Sequence, residues 1–130
     1  MMKRREQQHL ESNIEAQCGR RVSITQRRGD VLRIVLEPTG DRGRVELIAE
    51  GSRHDWTITD REMVHSVYGL DLDTVVERLA DCDTAITRRG DELVAHTTDR
   101  SLIDAVASFV DNIEIIPVLT GLFANDRMAA

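Results

Sequence analysis

The fold is decided by one stretch, Val22-Ser23-Ile24-Thr25-Gln26-Arg27-Arg28-Gly29-Asp30-Val31-Leu32-Arg33-Ile34-Val35-Leu36. Val22, Ile24 and Gln26 alternate with Ser23 and Thr25, the period of two that puts every second side chain on one face of a sheet. A second β run follows from Val31 to Leu36. Between them, Arg27-Arg28-Gly29-Asp30 is a short link with a glycine placed for a tight hairpin turn. Strands joined so closely pair antiparallel. The alternation allows one well-buried sheet face, so the other face is expected to be wetted or to meet a second subunit.

Beyond this hairpin, Pro38, Gly40 and Gly43 mark a loop, and Val45, Leu47 and Ala49 alternate with Arg44, Glu46, Ile48 and Glu50 as a third strand. Gly51 turns the chain into a short fourth strand holding Trp56 and Ile58. Thr59-Asp60-Arg61-Glu62 fits a capping box, with Thr59 taking an early amide and Glu62 reaching back. Met63, Val64 and Val67 then share a helix face until Gly69. Asp71 suits the cap of a next helix, where Leu72, Val75, Val76 and Leu79 fall at i, i+3, i+4 and i+7. Residues 84–87 and 93–97 read as a second hairpin. A last helix starts near Thr98 or Asp99 and carries Leu102, Ile103, Val106, Phe109, Val110 and Ile113, with Pro117 expected to kink or restart it. At the other end, the first twenty residues read as a polar helix striped by Leu10, Ile14 and Cys18 and stopped by Gly19.

The order α-β-β-β(-β)-α-α-β-β-α predicts an α+β domain, an antiparallel sheet of about five strands covered on one face by helices. One domain over residues 1–124 and a frayed tail over 125–130 are expected. The segment Ile24-Thr25-Gln26-Arg27-Arg28-Gly29-Asp30 is echoed by Ile86-Thr87-Arg88-Arg89-Gly90-Asp91. Both copies hold Arg-Gly-Asp, an adhesion motif in secreted proteins. With no signal peptide and no disulfide framework, hairpin chemistry used twice is the better account.

The chain of 130 residues is 41% hydrophobic, enough for a real core and too much for simple disorder. No apolar run approaches the roughly 20 residues of a membrane span. Net charge is −6 and unevenly placed: residues 1–44 hold ten basic and six acidic side chains, and residues 45–130 hold seven and seventeen. The acidic part repels phosphate, so nucleic acid is not the expected partner. Arg20, Arg21, Arg27 and Arg28 are the candidate phosphate contacts of the basic part. Cys18 and Cys82 lack Cys-x-x-Cys spacing, which fits a reducing compartment, so a cytoplasmic location is expected. If the chain is phage-encoded, that location is the host cytoplasm.

Chemistry is thinly signalled. His9, His54, His65 and His96 fall in four different elements with no partner at ligand spacing, so no metal is expected. Asp71, Asp73, Asp81 and Asp83 lack the glycine and glutamate of a calcium loop; with Glu77 they form a candidate acidic face. His54 and Asp55 with Asp60 are the one candidate acid–base group. No phosphate-cradling glycine loop and no serine elbow occur, and no cofactor is expected. Val64, Val67, Tyr68 and Leu70, around the link between the two central helices, either extend the core or form part of a subunit interface.

The element order resembles the small acidic secretion-chaperone fold, a match of topology that implies a homodimer. Trp56-Thr57-Ile58-Thr59-Asp60 before a helix, the Val75-Val76-x-x-Leu79 helix and the ending from Leu93 to Ile116 are similar to the bacterial and phage family catalogued as domain of unknown function 1828. This chain has Arg61-Glu62 where that pattern has an Asp-Gly turn. The resemblance implies no reaction, and it implies a phage or mobile-element setting.

The expectation is a non-enzymatic, adaptor- or chaperone-like domain, a homodimer that binds another protein. The alternative is a phage or mobile-element inhibitor of a host defence complex, anti-CRISPR-like, acting through its acidic face. A third reading is a small enzyme built around His54.

Overall fold

The computed structural model describes residues 3–40, 43–52, 54–80, 86–98 and 100–119, with side chains for all of these but 67, 68 and 117–119. In chain order they form α1 (Arg4–Cys18), β1 (Val22–Arg28), β2 (Val31–Leu36), β3 (Val45–Ser52), β4 (Asp55–Thr59), α2 (Met63–Tyr68), α3 (Leu72–Arg78), β5 (Ile86–Arg89), β6 (Glu92–Thr98) and α4 (Leu102–Leu119). The fold is α+β, as the alternation predicts. The sheet has six strands where about five were expected, in the order β1-β2-β3-β4-β6-β5, every neighbour antiparallel.

Register gives the sheet two chemically different faces. Ile24, Ile34 and Leu47 stand opposite one another, as do Ala49, Ile58, Ala95 and Ile86. These side chains form one core with Ile14 of α1, Val64 of α2, Leu72 and Val75 of α3, and Phe109, Val110 and Ile113 of α4. The described helices therefore all bury their apolar sides on this face. Burying a side chain such as Phe109 or Ile34 is worth about 1.5–3 kcal/mol, and that gain holds the layers together.

Local chemistry sets the element ends. Gly19 and Gly69 end α1 and α2 in the left-handed conformation, where the sequence placed the stops. Both hairpin tips turn on a left-handed glycine, Gly29 and Gly90. In each, a side chain of the incoming strand donates to the tip carbonyl: Gln26 Nε2 to Gly29 at 2.6 Å, Arg88 Nε to Gly90 at 2.8 Å. The two copies of the echo thus share the left-handed glycine and differ in the side chain that braces it.

Three local expectations need correction. The capping box does not form: Thr59 belongs to β4, and Arg61 and Glu62 both adopt positive φ, 51° and 65°. Asp60 holds the start of α2 instead, its carboxylate accepting the amides of Glu62 and Val64. α4 starts at Leu102, not at Thr98 or Asp99, because β6 pairs with β4 as far as Thr98; Ser101 Oγ then accepts the Asp104 amide at 3.3 Å. It runs as a single helix through Pro117 to Leu119. Residues 84 and 85 of the second hairpin and the tail 125–130 lie outside the described residues. No described helix is long and apolar enough to cross a membrane.

Candidate functional site

Since the described helices take one face of the sheet, the other stands open among the described residues. Its central row runs Thr25, Arg33, Ile48, Thr59, Val94, Thr87 across all six strands, and a second row runs Val31, Glu50, Thr57, His96. β-branched side chains thus floor the face, and charged ones surround them. Val35, Thr59 and Val94 are buried although no described helix lies over them.

The charged groups form a lattice around Glu46. Arg33 Nε donates to Glu46 Oε1 at 2.6 Å, and an Arg61 Nη1 donates to the same oxygen at 2.7 Å. Arg44 stands 3.7 Å from Oε2, beyond hydrogen-bonding reach. β2 supplies Arg33, β3 supplies Glu46, the loop residue just before β3 is Arg44, and the strained β4–α2 turn supplies Arg61. The hydrogen bond from Arg33, with Arg61 beside it, holds the Glu46 carboxyl below the usual range despite some burial.

Two hollows flank Arg61. One, of about 160 Å³, is floored by Ile48, Thr57 and Thr59 and walled by Glu50, Glu92, Arg61 and Arg89. The other, of about 400 Å³, is lined by Arg44, Glu46, Asp60, Arg61, Met63 and Ser66.

Asp60 lies beneath the larger hollow and is fully buried. One carboxylate oxygen accepts the amides of Glu62 (3.1 Å) and Leu93 (3.0 Å), and the other accepts that of Val64 (3.0 Å). It pins the start of α2 to β6. Burial pushes its carboxyl up, against the pull of those amides.

The sequence-predicted residues fare unevenly. His54, Asp55 and Asp60 do not converge: His54 and Asp55 sit at one end of β4 and Asp60 just past the other, roughly 16 Å away at ~3.3 Å per residue. Asp55 pairs with His96 Nε2 at 2.7 Å, on the exposed rim. Arg20 is no phosphate contact: it is 4% exposed, donates to the carbonyls of Leu36, Glu37 and Gly43, and bridges to Glu114 of α4 at 3.0 Å. Those partners use the guanidinium to tie the β2–β3 connection to α4. Arg21, Arg27 and Arg28 are exposed.

Of the two alternatives for the Val64 group, core extension holds at Val64, which is fully buried in this chain's own core, and Leu70 is half-buried against it. That removes the centre of the alternative interface; the side chains of Val67 and Tyr68 lie outside the described residues. Of the acidic set, Asp71, Asp73 and Glu77 are exposed on and beside α3. Arg88 reaches Asp73 at 2.9 Å and Thr74 donates to Asp71 at 3.0 Å; Asp81 and Asp83 lie outside the described residues.

Sequence reasoning missed Arg33, Arg44, Glu46 and Arg61 as a group. The available signal was the alternation of Arg33, Arg44 and Glu46 with core positions, which sends all three to one face. Their meeting depends on register and on the left-handed turn at Arg61. No protein-family model, curated protein or solved structure matches this chain.

Proposed function

We propose that this chain is a non-enzymatic binding domain that recognises another protein through the open face of its sheet. One observation carries the reading: the half-buried Ile48 and Thr57, set over the buried Thr59 and Val94, are flanked by an ion-pair lattice in which three arginines share one glutamate. Such a patch offers apolar area at its centre and directional, charge-assisted donors at its rim. The acid–base reading around His54 loses its geometry, because Asp60 is remote from it and already serves three amides. The acidic-face reading loses strength because Arg88 partly neutralises Asp73.

The test compares two surface variants of the whole chain as bait in extracts of its native cells. Ile48→Arg puts a bulky charge on the floor of the open face; the double variant Asp73→Arg, Glu77→Arg reverses charge on α3. The expected result is that Ile48→Arg loses proteins retained by the wild type while its melting curve is kept, and that the α3 variant retains them. Loss with the α3 variant alone overturns the reading in favour of the acidic face.

A further inference from the structure

We infer that the larger hollow beside α2 is an oxyanion-binding notch that takes a carboxylate from an acidic segment of the partner protein, an inference that rests on the open-face reading. Three guanidiniums, from Arg33, Arg44 and Arg61, stand around one accessible carboxylate, that of Glu46. The lining itself is neutral, Arg44 and Arg61 against Glu46 and the buried Asp60, and Arg33, bonded to Glu46 from outside the lining, brings the balance to +1 in a chain of −6. The notch is a local positive focus on an acidic molecule.

Geometry shows which donors face outward. The side chains of Arg44 and Arg61 are 51% and 44% exposed, against 23% for Glu46, so the arginines overhang the carboxylate that they share. Arg61 uses one Nη1 bond on Glu46, and Arg44 stays 3.7 Å away. A planar guanidinium presents five N–H donors in a fork that matches a carboxylate. Ser66 adds an exposed hydroxyl to the wall, and half-buried Met63 an apolar contact for the stem of an incoming Glu or Asp. Arg61 also walls the second hollow, so a segment entering the notch continues over Ile48 and Thr57.

Charge selects the class of occupant. Residues 45–130 are strongly acidic in balance, and that field repels a long polyanion such as nucleic acid. A single carboxylate seated directly on arginine meets that field at short range only. A carboxylate-bearing peptide fits both the notch and the apolar floor beside it.

The probe is a short peptide, acetyl-Glu-Leu-Glu-Leu-Glu-amide, titrated into isotope-labelled protein at low salt and followed by amide chemical shifts. Shifts centred on Arg44, Arg61, Met63 and Ser66, weakened at least fivefold in Arg44→Gln, Arg61→Gln and Ser66→Glu and kept in Arg27→Gln, Arg28→Gln, support the notch. Shifts centred on the hairpin arginines, or unchanged in the notch variants, overturn it. Inorganic phosphate forms a parallel arm; saturation of the same residues at lower concentration than the peptide overturns the peptide assignment in favour of a small-anion site. Failure here leaves the open face intact if Ile48→Arg still loses its partner, so the two readings fail separately.

Discussion

Asp60 is held by opposing demands: burial disfavours its charge, while three amides need its oxygens. Because burial lifts its carboxyl above the ordinary 3.8, the folded chain takes up a proton more readily than the unfolded one. Its contribution to stability is therefore fullest below 3.8 and is lost as pH rises through the folded midpoint. Glu46 behaves oppositely: held below 4.5 by Arg33 and Arg61, it contributes above 4.5 and loses that contribution as pH falls through its folded midpoint. Carboxyl-resolved NMR titration should place the Asp60 midpoint above 3.8 and the Glu46 midpoint below 4.5; the reverse order removes this account of the turn. Asp60→Asn keeps one acceptor oxygen for donors that now use two, and should cost about 2–3 kcal/mol in urea unfolding. Thr97 shows the converse. Its buried hydroxyl has no hydrogen-bond partner among the described residues, so Thr97→Val should raise stability by roughly 1 kcal/mol in the same assay.

Among the elements, the β3–β4 hairpin depends on Gly51. Its φ is 146°, and a Cβ there would run into the carbonyl of Asp55. Gly51→Ala should cost about 3 kcal/mol or more, whereas Gly90→Ala, with left-handed φ but open space around it, should cost about 1 kcal/mol. Equal costs would show that backbone preference, not the close approach, sets the hairpin. The α3 helix makes a similar comparison, since Val75 is fully buried and Val76 only partly so. Val75→Asp should abolish cooperative melting and Val76→Asp should leave it. Much of this level was legible in sequence: strand alternation gave β1 to β3, and Gly19 and Gly69 marked helix ends because a left-handed glycine is a local device. The Asp60 cap was not legible, because one of its three donors, Leu93, is 33 residues away. Arg20 was hidden for the same reason, since a buried arginine and a surface arginine look alike until the carbonyls that hold it are in place.

At the scale of the whole molecule, one set of helices on one side of an antiparallel sheet yields a buried face and an open one. The sequence predicted this asymmetry. It offered Val64, Val67, Tyr68 and Leu70, where hydrophobicity ran high, as either core or interface. The structure spends Val64 on the core, and the candidate site moves to Ile48, the threonines and the arginine lattice, a mixed-polarity patch that composition does not flag. The account rests on partner contact through that face. A photoreactive amino acid introduced at position 48, and separately at position 73 on α3, tests it most directly in cells that express the chain. The account predicts a discrete covalent adduct from position 48 and none from position 73; an adduct from position 73 with none from position 48 would contradict it.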